Sequence, residues 1–469
     1  MAQPAGVETE ARARTGARAA ASHYSKSILS RLSPLVSRGD GLPRYTAIAA
    51  VFLLLWGVFA LMDWHTGTIR GDFTRYSLAA SGVLWEGGNP YSAWEVGQNY
   101  KYLPVNAFLL GPLTLLPIPI AQGFWTTLNL TLVIIALWMQ WRFLREFRLP
   151  PWLMIALLVL GFRSIHSNLK MGQWNTTVYT LGIIGVLLLY KHRNLLGAAV
   201  LGLAASLKFI PAAFMLPFLL KGRWRPPVGT VLAITFWCLL LPGVVLGPQR
   251  LSYLYTEFRS KSEKVVQDQT GQTGQRTGVS LNALIFLYST PAFREDVDRE
   301  RTINIANLSP QRAGMLANGA SLAILLGTVA MSLSLRNVRP DRMVFFLEVS
   351  LWITTMMLVL PHVRVHYLIY MVTPTLGLLA FWYRWRWVSR AAWVAFGVVA
   401  FSLLAQILSS QDITGRTLST EFNLHGMNTV MVLLMHGALI QALWVLGWLS
   451  PALESPAEQQ GIAHDGHAA

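Results

Sequence analysis

Cysteine is almost absent: Cys238 is the only one in 469 residues. That excludes any intrachain disulfide and any metal centre built from several thiolates. Charge is scarce as well, with Asp, Glu, Lys and Arg making up 13% of the chain against about 25% in soluble domains. Acidic residues are the rarer sign, 22 against 38 basic, which leaves a formal charge of +16. No Walker loop, GxSxG elbow, dinucleotide fingerprint or CxxC pair is present, which argues against ATP-driven transport by this chain alone.

Apolar residues are abundant, at 53%. Long apolar runs recur at 45–62, 121–141, 227–246, 313–335, 343–360, 391–409 and 427–449, and about 20 such residues cross the hydrocarbon of a bilayer. The expected fold class is an all-α polytopic membrane protein with one large domain over 45–450. Residues 1–44 are Ala-, Ser- and Arg-rich without a signal-type apolar core, and 451–469 are polar; both read as disordered tails. The basic residues border the apolar runs instead of forming a separate polar domain, so they mark membrane topology and no nucleic-acid partner is expected.

Lys and Arg stay preferentially on the cytoplasmic side of short loops. Arg12, Arg14, Arg18, Lys26, Arg31, Arg38 and Arg44 place the N-terminal tail inside, and 45–62 then crosses outward. Residues 63–120 become external, with 104–118 an interfacial or re-entrant segment because Pro104, Pro112, Pro117 and Pro119 interrupt it. The run 195–220 reads as two short pieces broken at Ser206-Leu207-Lys208-Phe209-Ile210-Pro211; an unbroken helix would strand Lys208 near mid-bilayer at about 2.5–3.5 kcal/mol. Residues 247–312 are expected as external loops, with 281–290 a short apolar segment dipping into the membrane edge. Alternation gives about 12 crossings in a plasma-membrane protein with both termini cytoplasmic.

This topology collects Asp63, Asp72, Arg75, Arg163, His166, Gln173, Asn175, Lys208, His362, Arg364 and His366 on the external side. Such groups need a partner, a wet cavity or a ligand, although snorkelling at helix ends also accounts for single charges. Asp72 opens an amphipathic stretch through Phe73, Tyr76, Leu78, Ala79, Val83 and Leu84. It suits a general base accepting a proton from a hydroxyl, or a helix N-cap. Lys208, Arg364, His362 and His366 would favour a phosphate leaving group. The two histidines have the spacing of a helical metal pair, but Pro361 adjoins them and no third ligand stands near. No metal is expected, because external carboxylates are sparse. In Gly172-Gln173-Trp174-Asn175 the amides suit sugar hydroxyls, or alternatively a helix cap.

Several elements in order resemble the family 87 glycosyltransferases: Asp72, Gly88-Asn89-Pro90-Tyr91, Tyr100-Lys101-Tyr102-Leu103-Pro104, Gly172-Gln173-Trp174-Asn175, the segment Gly202 to Pro211, and His366-Tyr367. Leu103 stands where a second proline is expected, and Pro-His-Val-Arg-Val-His supplies two histidines, of which His366 is favoured because Tyr367 follows it. The resemblance implies a C-type glycosyltransferase fold and inverting transfer of one sugar from a polyprenyl phosphate donor to a glycolipid or glycan acceptor at the external face. The best-known activity of the family is alpha-1,2-mannosyl transfer. It further implies Asp72 as the base, Lys208, His366 and Arg364 around the donor phosphate, and Gln173, Asn175, Tyr91, Tyr102 and His362 as substrate contacts. The lipid-linked sugar is then a substrate, and no cofactor is expected. Two alternatives remain: a lipid-linked oligosaccharide flippase, which would usually show repeated broken helices, and an oligosaccharide polymerase or ligase, for which 247–312 is long enough.

Overall fold

The computed structural model describes residues 71–91, 100, 102–270, 278–291, 303–337 and 341–448. The expected tails 1–44 and 451–469, the span 45–62 and Asp63 lie outside the described residues. The order of helices is α1 Gly71–Leu84, α2 Val105–Leu115, α3 Ile118–Phe143, α4 Pro151–Met171, α5 Asn175–Tyr190, α6 Asn194–Leu207, α7 Ile210–Leu220 and α8 Arg225–Leu246. There follow α9 Pro248–Thr270, α10 Leu281–Ser289, α11 Pro310–Ser334, α12 Arg342–Val359, α13 Val365–Trp385, α14 Arg390–Leu408, α15 Gln411–Leu424 and α16 Met427–Trp448. Among the described residues the β structure amounts to one isolated bridge, between Gly278 and Arg364.

Among the described residues seven helices, α3, α8, α11, α12, α13, α14 and α16, are long and apolar enough to cross a membrane, and α4 makes an eighth if its two halves, bent by 48°, form one span. The protein is therefore an all-helical, multi-pass membrane protein. Helices α12 and α13 are buried along most of their length, while α8 turns Val228, Val231, Leu232, Phe236 and Leu239 outward. An apolar face without protein cover is the face that lipid covers.

Helices α5 and α6 pack antiparallel and closely. Gly185 permits this, since a Cβ there would lie 2.8 Å from the Leu201 Cβ. The break in the run 195–220 falls at the expected place: α6 ends at Leu207, Lys208 is extended (φ −150°, ψ 135°), and Pro211 lies in the first turn of the next helix, where its missing N–H costs nothing. The proline-rich segment 104–118 forms the short α2, whose second half is a 3-10 turn.

One expectation is corrected. Residues 248–270, read from sequence as external loop, form the 23-residue helix α9. Leu251 and Leu254 are buried along one side of it, and Arg259 pairs with Glu263 one turn on at 2.8 Å, a spacing that supports a helix. Tyr253 and Glu257 of the same helix accept hydrogen bonds from the Asn89 amide at 3.0 and 2.9 Å.

Candidate active site

Helix α1 forms because Phe73, Tyr76, Ala79, Ala80 and Val83 recur at helical spacing and are all buried. Leu78, expected on the same face, is 45% exposed. Asp72 lies in the first turn of α1, where the helix dipole favours a carboxylate.

The corner between α4 and α5 meets this first turn. Gly172 ends α4 with φ +65°, its N–H directed to the Asn168 and Leu169 carbonyls, and the Gln173 N–H follows to Asn168 O at 3.0 Å. This is a glycine-dependent helix stop. The Trp125 indole donates to Gly172 O at 3.0 Å and holds the corner from the side of α3.

As a result Gln173 Nε2 donates to Asp72 Oδ2, while Arg75 Nη1 lies 3.3 Å from Oδ1. Gln173 Oε1 in turn accepts from the Tyr76 hydroxyl at 3.3 Å, and Tyr76 and Tyr102 share a hydroxyl contact of 2.9 Å. The Asp72 side chain retains 17% exposure, enough to reach a ligand. Burial holds its carboxyl above the ordinary 3.8, with Arg75, Lys208 and Arg364 pulling it partly back. Burial also lifts the Tyr76 hydroxyl far above its usual range, so it stays protonated as a donor.

Two residues further on, Asn175 Oδ1 accepts from Lys208 Nζ at 2.6 Å. Lys208 lies over the rings of Tyr102 and Tyr367, 5.3 and 4.7 Å from their centroids, and its Nζ is 3.4 Å from the Tyr367 hydroxyl. Two aromatic faces and one amide oxygen keep the ammonium charged and pointed. Asn175 does not cap α5; its Nδ2 instead donates to Asn168 Oδ1 at 3.0 Å. Asn168 Nδ2 reaches the His366 carbonyl at 2.7 Å, tying the corner to the start of α13. Arg364, on the exposed stretch before α13, is held by the bridge to Gly278 and by Val279 N donating to Val363 O at 2.7 Å.

Asp72, Gln173, Tyr102, Asn175, Lys208 and the His366 backbone thus belong to one continuous network, with Arg364 within electrostatic reach of Asp72. Tyr91 does not join it directly. Its hydroxyl donates to the Tyr102 carbonyl at 2.8 Å, so it props the segment that carries Tyr102. His362 is exposed, whereas His366 is half-buried with its ring 5.0 Å from that of Tyr367. Arg163 is spent elsewhere, donating to the Gln406 and Ser409 carbonyls at 3.1 and 2.6 Å, which closes the end of α14. Among the described residues no three His, Cys, Asp or Glu side chains gather as metal ligands.

Sequence reasoning missed Tyr76 as a bridge and Asn168 as a strut. Asn168 did carry a signal, because it stands one turn after Ser164 in an apolar helix, and a buried amide there needs partners.

A carboxylate with raised proton affinity, fixed beside the Gln173 and Asn175 amides and near a clamped ammonium, is equipped to deprotonate a hydroxyl while an anionic group departs. The family model for glycosyltransferase family 87 matches residues 100–361. That segment holds Tyr102, Gln173, Asn175 and Lys208; Asp72, Tyr91, His362, Arg364 and His366 lie outside it. Among curated proteins the chain is 29% identical over 215 residues to a Mycolicibacterium smegmatis protein named polyprenol-phosphate-mannose-dependent alpha-(1-2)-phosphatidylinositol mannoside mannosyltransferase, with 38% of this chain and 47% of the relative covered. The match thus spans about half the length of that relative. No solved structure matches the chain.

Proposed function

Because the chain belongs to glycosyltransferase family 87, we propose that it transfers a single mannose from a polyprenyl phosphate to a glycan or lipid-linked acceptor, with inversion at the sugar carbon. The observation that carries this reading is the corner 172–175, where Gln173 holds Asp72 and Asn175 holds Lys208. Asp72 takes the proton of the acceptor hydroxyl as its oxygen bonds to the sugar carbon. The bond from that carbon to the phosphate oxygen breaks, and its electron pair leaves with the polyprenyl phosphate. Lys208, with Arg364 and His366, stabilises the charge on the departing phosphate, while Gln173, Asn175, Tyr102 and His362 contact sugar or acceptor hydroxyls.

Helix dimensions support a lipid-linked donor. The 16 residues of α5 and the 14 of α6 rise about 24 and 21 Å at 1.5 Å per residue, short of the ~30 Å hydrocarbon thickness. With Lys191 and Arg193 at one boundary, Asn175 and Lys208 lie several ångströms below the other. A phosphate on a lipid reaches that depth more readily than a soluble sugar nucleotide. The positive-inside pattern of the sequence supports an external face for this recess and cytoplasmic termini, in a C-type fold of about 12 crossings if the apolar run expected to span at 45–62 and the short helices are counted.

The test uses the full-length chain in vesicles with labelled polyprenyl phosphate mannose and extracted glycolipid acceptors. Transfer of one mannose is expected, and an Asp72→Asn protein should lose about 10²–10⁴-fold in rate. Full transfer by a correctly folded Asp72→Asn protein would remove the base assignment. Lys208→Ala should weaken donor use, and unchanged donor dependence would take Lys208 out of the site. Block transfer, or lipid movement without a new bond, would replace the reading altogether.

A further inference from the structure

At the far end of α5 from the Asp72 corner, the chain forms an open, solvent-facing cavity of about 680 Å3. Its wall carries Arg142, Arg145, Arg148, Lys191 and Arg342 with a single carboxylate, Glu146. These cations come from the end of α3 and the α3–α4 connection, the turn after α5 and the start of α12. Among the described residues the one ion pair in the wall is Arg342 with Glu146, at 3.1 Å.

Loop cations that serve only to orient a membrane protein can point apart into water. Here they line one recess together, and although Arg145, Arg148, Lys191 and Arg342 keep solvent exposure, five like charges around one space favour an anion between them. The connection also contains a second irregularity: Arg148, itself in the cavity wall, adopts φ +49°, the left-handed region that side chains other than glycine rarely occupy. Strained backbone of this kind persists where surrounding contacts or a ligand hold it.

We propose that this cavity binds the phosphate of an anionic membrane lipid. The source is argued from α3, whose outward face leads to the cavity. Ile135 and Trp138 are exposed at 37% and 52%, and the Arg142 guanidinium lies over the Trp138 ring, 5.4 Å from its centroid. An exposed tryptophan one turn before the first cation is the arrangement of a membrane interface, with acyl chains along the apolar stripe and the headgroup at the cations. The floor is apolar, formed by Phe143, 5.9 Å below the Arg342 guanidinium. The site is independent of the transfer chemistry and stands whether or not Asp72 is a base.

The experiment uses the purified full-length chain in detergent and measures binding of phosphatidylglycerol and of phosphatidylcholine by native mass spectrometry, with inorganic phosphate added in a parallel series. Saturable binding selective for phosphatidylglycerol is expected, with inorganic phosphate at the same concentration displacing little of it. The Arg145→Gln/Arg148→Gln protein should show an apparent Kd raised about 30-fold, from two lost headgroup contacts. Arg384→Gln/Arg390→Gln, which removes two cations outside the cavity wall, should stay within about threefold of the parent. Arg145→Lys/Arg148→Lys keeps the charges and should recover most of the affinity, which separates charge loss from misfolding. Equal weakening by both Gln pairs would reduce the cavity to general basic charge and overturn the proposal, as would the absence of any preference for phosphatidylglycerol. Efficient displacement by inorganic phosphate would overturn the lipid source.

Discussion

Gly172→Ala is the substitution that most directly tests how the Asp72 site is held together. Gly172 has φ +65° at the end of α4, and a Cβ there would lie 2.7 Å from the Cβ of Phe73. Alanine in the left-handed region costs about 1–2 kcal/mol, and overpacking a closed interior costs about 1–3 kcal/mol. Phe73 cannot swing aside, because it is fully buried and its ring stacks against Trp125 at 6.1 Å. Relief therefore means a retreat of the first turn of α1 by roughly 0.7 Å, from 2.7 Å to the 3.4 Å at which ordinary contact begins.

Asp72 is the neighbour of Phe73 and moves with it, away from Gln173. Misplacement of a reacting group by about 1 Å can cost about 10²-fold. Gly172→Ala is accordingly expected to lower kcat/KM for sugar transfer about 100-fold and to destabilise the folded protein by about 2–5 kcal/mol. Labelled transfer in vesicles reads the first quantity and a thermal melt of the purified protein the second. Gly82→Ala is the internal control. It lies on the same helix, a Cβ there meets nothing within 4 Å, and it should keep full activity while gaining up to about 1 kcal/mol. Wild-type kcat/KM together with an unshifted melt in Gly172→Ala would refute the claim that this glycine seats the carboxylate.

Three further outcomes are expected. Since burial raises the Asp72 carboxyl above 3.8 and Arg75 is the first of the cations opposing that rise, the base form is lost as pH falls through the raised value; Arg75→Gln should move the acidic limb of the kcat/KM profile to higher pH, and a limb that stays or moves lower contradicts the assignment. Asn168→Ala removes the amide that joins Asn175 to the His366 backbone and strands buried polar atoms at about 1–3 kcal/mol; transfer should fall about tenfold or more, with Asn168→Asp unable to restore it because Asn168 is a donor to the His366 carbonyl, and full activity in either variant would free the corner from this strut. Lys221→Met leaves the fully buried Glu348 without its ion-pair partner, a loss worth about 3–5 kcal/mol; a large drop in melting temperature is expected, relieved in part by adding Glu348→Gln, and additive effects of the two changes would show that the residues do not act as a pair.

Much of the site was legible because polar groups in apolar runs are expensive. Lys208 beside Pro211 forced a break that the structure has at that residue, and the Gly172 corner announced itself through a glycine followed by two amides. What could not be read was partnership. Asn175 read as a cap or a sugar contact; it does not cap α5, and its oxygen also holds Lys208, a partnership that no local pattern showed. Tyr76 looked like one more apolar position of α1, and its hydroxyl turns out to connect Gln173 with Tyr102. Arg163, gathered with Lys208 on the expected external side, closes the end of α14 across 246 residues of sequence. Tyr91, in the motif position of a ligand contact, also supports the Tyr102 backbone.

The helix α9 was missed for a different reason. Its apolar residues Leu251, Leu254 and Phe258 follow helical spacing, but reading for bilayer-length runs discards so short a stripe. Desolvation cost is a property of one residue and can be read locally, whereas a hydrogen-bond partner is set by packing between distant helices. A sequence therefore locates the groups that must be satisfied before it shows what satisfies them. In this chain that difference separates Arg163, whose donors close a helix end, from Lys208, whose charge is held by one amide oxygen and two rings at the corner that also holds Asp72.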